Sequence, residues 1–309
     1  MFSNISNKTL ILVFGVLGVI VVAMYFFDAG KTERTFESEL IDIDTAKVTK
    51  VVVFPKNSAF PIKIVKDNDV WKVELKNGKL APGADTRIQS IFTQLTTIEP
   101  NRLAARGQNR FAEFQVDSAA AHVKVYEGSS EVADLILGKF SMDPATRQMS
   151  SFVRLADSEE IYEIKGFLSL SQDSDPNVFR NKKITEGSHS SWNGITFAYP
   201  ADSSFAISKV SERWEMNGTK TDSVETVKFL RGLANLSGTS FVDDYNPEDI
   251  MTPTHTVTID KEDGEIIIEG YEAGDNFYVR STLNPESLFD GKANKLKEKI
   301  FIGSSKLLK

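Results

Sequence analysis

At 309 residues, with 41% hydrophobic and 26% charged side chains, the chain is folded material with room for one membrane segment and about two domains. Its 36 basic and 43 acidic residues leave a net charge of −7, which argues against a nucleic-acid partner and against broad adhesion to anionic lipid. Cysteine is absent, so disulfide frameworks, thiol catalysis, thiolate metal sites and an acylated cysteine are excluded together.

Residues 1–8 form a short polar stub, and residues 9–27, TLILVFGVLGVIVVAMYFF, hold no charge. As a helix this run would be roughly 28 Å long, close to the hydrocarbon thickness, with Tyr25, Phe26 and Phe27 placed as an interfacial belt. It exceeds a usual signal-peptide core, and FDAG offers Phe where cleavage wants a small residue. The expectation is an uncleaved single-pass transmembrane helix, amino terminus inside. Residues 28–46 read as a juxtamembrane linker.

From Lys47 the pattern turns to strands: VTKVVVF, PIKIV and VWKVEL, with KDND as a turn. Asp85 then opens a helix whose Ile88, Ile91, Phe92, Leu95 and Ile98 make one apolar stripe. More strands follow in AHVKVYE, ADLILGK, SSFVRL and EIYEI. A sister helix begins at Asp222, with Glu225 three residues on as in a capping box. The strands HTVTID, EIIIEG and NFYVRS come after it, and short final helices are expected at residues 167–172 and 286–298.

The two halves echo each other. Trp71 answers Trp214; the segment 54–64 answers 199–207; Asp85 to Phe92 repeats the step from Asp222 to Phe229. Phe152-Val153-Arg154 answers Tyr278-Val279-Arg280, and Lys183-Ile184 with Gly187-Ser188 answers Lys299-Ile300 with Gly303-Ser304. A fixed-order repeat of this length means duplicated domains. The expected architecture is α+β: a transmembrane helix, then module 1 over residues 47–188 and module 2 over 189–309, each an antiparallel sheet covered by one main helix. Both tryptophans are expected in module cores.

Nothing in the sequence points to catalysis. No GxGxxG, Walker, GxSxG or HExxH string occurs, and His122, His189 and His255 lack metal-binding spacing. No cofactor or metal is expected. The acidic stretch Asp243, Asp244, Glu248, Asp249 lacks the oxygen pattern of a calcium loop and reads as a solvated loop. What remains are interaction sites. Arg180, Lys182 and Lys183, with Lys292, Lys295, Lys297 and Lys299, are local positive patches on an acidic chain and the best candidates for contact with a partner protein or lipid headgroups. Arg154 and Arg280, identically placed in both copies, are candidate inter-module contacts.

Several of these residues together resemble a known family. The strand-ending Trp71, the Asp-led helix, Val123 and Val125 followed by Leu135, Leu137 and Gly138, Val153-Arg154, Ile161 to Ile164, and FRNKKI over 179–184 are similar to the domain of unknown function 4340 family. This chain departs from it in placing Asn181 where an acid is commoner. Members are often encoded beside ABC transporter subunits of the gliding-motility type. The resemblance implies a membrane-anchored, extracytoplasmic partner of an ABC-type complex, at the cytoplasmic (inner) membrane of a bacterium. The expected function is a non-catalytic binding or scaffold subunit of such a complex. The alternative is a receptor for a glycan, peptide or lipid in an inter-module cleft.

Overall fold

The structure, a computed structural model, describes residues 15–18, 40–56, 58, 60–168, 170, 175–245, 250 and 252–308. Short β-branched segments separated by tight turns dictate its character. Strands β1 (Val48–Phe54), β2 (Ile62–Asp67), β3 (Val70–Glu74) and β4 (Leu80–Pro82) form a meander before helix α1 (Asp85–Thr96). Then come β5 (Pro100–Arg106), the one-turn helix α2 (Phe111–Phe114), β6 (Ala121–Glu127), β7 (Ser130–Met142), β8 (Met149–Leu155) and β9 (Glu160–Lys165). The later chain repeats the plan: β10 (Trp192–Ala198), β11 (Phe205–Val210), β12 (Arg213–Met216), β13 (Thr219–Lys220) and helix α3 (Ser223–Leu233). It ends in β14 (His255–Lys261), β15 (Gly264–Ala273), β16 (Asn276–Ser281), β17 (Asn284–Asp290) and helix α4 (Leu296–Ile300).

The strand orders are β4-β3-β2-β1-β6-β7-β8-β9-β5 and β13-β12-β11-β10-β14-β15-β16-β17, with antiparallel pairing at each recorded junction. The order of the first eight positions recurs, and so do details. The β2–β3 turn places Asn68 and Asp69 at positive φ, and the β11–β12 turn does the same with Ser211 and Glu212. These are the primed turns that match strand twist. Trp71 and Trp214 are each the second residue of the following strand, opposite Lys66 and Lys209. Each tryptophan carbonyl accepts an N–H from the residue leading into the helix, Gly83 at 2.9 Å and Thr221 at 3.1 Å. Gly83 is required there, because a Cβ would lie 2.5 Å from Ile88 Cδ1 and 2.7 Å from the Trp71 carbonyl oxygen.

The expected fold class needs correcting. Among the described residues no helix is long and apolar enough to cross a membrane. Of the expected span 9–27 only residues 15–18 are described, as a helical turn, and the rest lies outside the described residues. Nor does one main helix cover each sheet. A helix about 10 Å across spans about two strands at about 4.8 Å spacing, so α1 and α3 cover only part of sheets of nine and eight strands. Residues 286–298 are also not a helix: β17 occupies their first part and α4 begins only at Leu296. The other expected terminal helix, 167–172, falls largely outside the described residues. Asp222 caps α3 as read, its carboxylate accepting the N–H groups of Val224 (2.9 Å) and Glu225 (3.2 Å), whereas Asp85 is the first helical residue.

Two compact units emerge from the packing. One takes Thr96–Ala120 and Leu135–Leu168, with the described residues up to Asp42; the other takes Ile43–Leu95, Ala121–Asp134 and Ser169–Lys309. The first is organised around Phe114, Val116, Ile136, Phe152 and Ile161. In the second, Trp192, Phe197, Ile259, Val279 and Phe289 are fully buried beside Leu230 and Leu233 of α3. The expected core tryptophans are only half-buried. Trp71 lies against Phe92 at 5.2 Å, and Trp214 rests on the edge of the second unit's core.

Candidate binding surfaces

The family-like FRNKKI segment crosses the second unit as a clasp. Its backbone is bonded on one side to the end of the first meander: Ala84 N–H donates to the Phe179 carbonyl (2.7 Å), and Asn181 N–H to that of Pro82 (2.8 Å). On the other side Ile184 and Thr185 donate to the Leu236 carbonyl, and Gly238 donates to that of Lys182 (2.8 Å). Asn181 extends the clasp, giving a carboxamide hydrogen to the Leu283 carbonyl (3.2 Å) while its own carbonyl accepts from Asn284 (2.7 Å). Asn181 therefore supplies a donor that a carboxylate at this position would lack.

Arg180 is the centre of this clasp and not an accessible contact. Its side chain is 2% exposed and grips Asp243 through two parallel bonds of 2.9 and 2.8 Å. It also donates to Asn177 (3.0 Å) and stacks over Phe241 with its guanidinium carbon 3.5 Å from the ring centroid. A planar fork meeting a carboxylate while lying on an aromatic face is arrangement that lysine cannot reproduce. Asp243, read as part of a solvated loop, is thus held in an ion pair. Glu248 and Asp249 lie outside the described residues.

Arg154 and Arg280 answer one another in sequence but not in role. Arg154 is buried and donates to the carbonyls of Val116, Leu155 and Ala156, each at 2.9 Å, tying a loop of the first unit. Arg280 pairs with Glu269 of the neighbouring strand at 2.9 Å and contacts the Tyr271 hydroxyl. Its recorded partners lie in its own sheet, so the expected bridge between modules is not what these bonds make.

The lysines fare differently. Lys183, Lys292, Lys295 and Lys299 are exposed, Lys183 bonding Glu186 at 2.9 Å. Lys182 is half-buried, and Lys297 covers Phe277 at 4.1 Å and reaches Glu272 at 3.2 Å. One loop links the two basic elements: Gly238 bonds the Lys182 carbonyl, and the adjacent Thr239 hydroxyl accepts from Asn294 at 3.0 Å. The sequence separates Lys183 from Lys292 by more than a hundred residues, and only the fold shows that they flank a common loop.

Beside the clasp lies a cavity of about 740 Å³, again within the second unit. Phe60, Lys63 and Glu74 line it from the first meander, with Asn177, Asp243 and Asp244 opposite. Lys63 and Glu74 pair at 2.5 Å on its wall, and Phe60 is 68% exposed. Sequence reading missed this site, since its walls come from four separate stretches of chain with no shared motif. Among the described residues no group of three or more His, Asp or Glu side chains is placed to hold a metal ion.

A third cluster joins His122, Lys124, Glu131 and Asp134 on the β6–β7 hairpin. Lys124 bonds Glu131 at 2.9 Å and Asp134 at 3.0 Å, and those partners raise its pKa. Burial opposes ionisation of Asp134, but bonds from His122 and Lys124 outweigh it and hold the carboxyl below its usual range. The cluster staples a hairpin.

No curated protein and no solved structure matches the chain. A family model described as "Domain of unknown function (DUF4340)" matches residues 71–252, from the first core-edge tryptophan through the clasp to the Asp243 loop, and the chain belongs to that family.

Proposed function

We propose that this protein is a non-catalytic binding subunit, a scaffold within an envelope complex of the ABC-transporter type, working on the extracytoplasmic side of the inner membrane. One observation carries the reading: lysines from two distant segments flank a common loop on a chain of net charge −7, while the neighbouring Arg180 is neutralised inside. Local positive charge kept against the global sign steers association and weakens as salt rises. The test is co-purification with integral membrane proteins under rising salt. Reversing Lys182, Lys183, Lys295 and Lys299 to Glu is expected to abolish recovery of the complex without lowering the melting temperature. Unchanged recovery would refute the scaffold reading.

The 740 Å³ cavity favours a second reading, a receptor for a glycan or peptide, because an exposed Phe beside carboxylates and carboxamides suits a sugar face or a peptide backbone. Thermal-shift screening against oligosaccharides and peptides would support it if a ligand raised the Tm of the wild type and not of Phe60→Ala.

A further inference from the structure

The hairpin joining β7 and β8 carries a cluster of exposed large apolar side chains. Phe140 and Met142 lie two residues apart on β7 and so share a face, and Met149 stands directly opposite Met142. Phe167 closes the group, its ring edge-on to Phe140 at 5.3 Å. All four are exposed, Phe140 by 55% and Met142 by 57%. The strand is re-aimed just before this group. The pairing shifts between Leu137 and Phe140, and Gly138 sits where a Cβ would meet the Phe114 carbonyl oxygen at 2.5 Å. A bulge with a glycine at a close approach turns the next side chains off the core face.

Charge around the tip is net positive, two exposed cations against one acid. Arg147 and Lys165 are exposed beside it. The acid of the turn, Asp143, has its carboxylate accepting the N–H groups of Ala145 (2.8 Å) and Thr146 (2.9 Å). The matching hairpin of the other sheet lacks this surface, closing in a tight turn at Gly274 between the paired Ala273 and Asn276.

We propose that the β7–β8 tip docks into the interfacial layer of a bilayer bearing anionic headgroups, with Phe140, Met142, Met149 and Phe167 inserted and Arg147 and Lys165 at headgroup level. A second copy is disfavoured because a cationic rim repels itself. A globular partner is disfavoured by area: four side chains about half exposed offer roughly 400 Å², about half of the ~800 Å² per side of a standard interface. Shallow insertion of aromatic and thioether side chains with basic flanks needs no more than this. The net charge of −7 opposes wider adhesion and confines the contact to the tip.

The absence of cysteine allows a single reporter in the full chain. Met142→Cys carrying an environment-sensitive fluorophore is mixed with vesicles of equal phosphatidylglycerol and phosphatidylcholine, with or without an acyl-chain quencher. Blue-shifted emission quenched several-fold by that lipid is expected, and the same label at Asp275→Cys should remain aqueous. Because other segments could also bring the chain to vesicles, the position of the label decides. Phe140→Ser with Phe167→Ser should abolish the shift at residue 142 while leaving the Tm unchanged, and Arg147→Glu with Lys165→Glu should weaken it on anionic vesicles alone. A label at 142 that stays aqueous while the protein pellets with vesicles overturns the proposal. So does equal insertion at 275, or burial of the label that depends on protein concentration without lipid, which would mark a contact between copies.

Discussion

The two sheets share a skeleton and differ at matched positions, and the differences mark where each has been put to use. Val48 and Trp192 occupy the same place, the first residue of the central strand just before a shift in pairing, and both are fully buried. One core accommodates a valine there and the other is built around an indole. At the far edge, β5 pairs with β9 over its whole length. In the other sheet the described part of the segment after the helix meets β17 through a bridge between Phe241 and Phe289, flanked by bonds from Val242 to Leu288 and from Asp290 to Ser240. That edge leaves Phe241 and Asp243 to receive Arg180 from the clasp. A common frame tolerates such changes because its ladders and turns, not its margins, set the topology.

The sharpest way to break the comparison is at the Val48 and Trp192 position. Trp192→Ala should cost about 4 kcal/mol, within the usual range for truncating a buried large aromatic, while Val48→Ala should cost about half as much. Urea melts of both variants test this, and equal losses would show that the two cores are not built around differently sized side chains. Next comes the edge. Arg180→Ala leaves Asp243 without its fork and removes the guanidinium from Phe241, so a loss of roughly 3 kcal/mol is expected. Arg180→Lys should recover little of it, because an ammonium cannot bond both carboxylate oxygens in parallel. Full recovery by lysine would reduce the clasp to simple charge pairing. Smaller again, Trp71→Ala and Trp214→Ala should each cost about 2 kcal/mol, less than Trp192, because both rings are half-exposed.

Much of the skeleton was legible. Alternation gave the meanders, the Ile88 to Leu95 stripe gave the buried face of α1, and Asp222 announced its own cap. Composition could not show sheet width, since neighbours in a ladder are far apart in sequence, and so the covering role of one helix was overestimated. Trp192 was passed over because the matched position in the first sheet holds Val48, so it has no counterpart in the echo that drew notice to the other tryptophans. Arg180 was misjudged because a cation in a string of lysines reads as surface, and nothing local shows that Asp243 lies 63 residues on to receive it. The fifth sequence echo also does not fall on equivalent backbone. The start of α1 is bonded by Phe179, ahead of Ile184, whereas that of α3 is bonded by Leu307, beyond Ile300.

The smallest effect separates the two histidines. Both begin matched strands, yet His122 opposes Phe54 while His255 falls one position earlier in the shared register, where the first sheet has the buried Ala121. A one-residue offset sends a side chain to the opposite face. His122 accordingly stacks on Phe54 at 5.3 Å beside Asp134, and His255 enters an aromatic group with Tyr199 at 5.1 Å, Phe277 at 5.4 Å and Phe301 at 5.6 Å. Burial among those rings lowers the His255 pKa below its ordinary 6.5, with Glu272 opposing the shift and Lys297 adding to it. A folded pKa below the unfolded one means that the unfolded chain binds more protons between the two values, so stability rises with pH across that window. The contribution is fully present above about pH 6.5 and is lost as the pH falls through the folded value. Melting temperatures measured from pH 7.5 down to 5 should therefore decline, and His255→Phe should flatten that decline. A decline that survives His255→Phe would assign it to other groups and remove the offset between the two histidines as its cause.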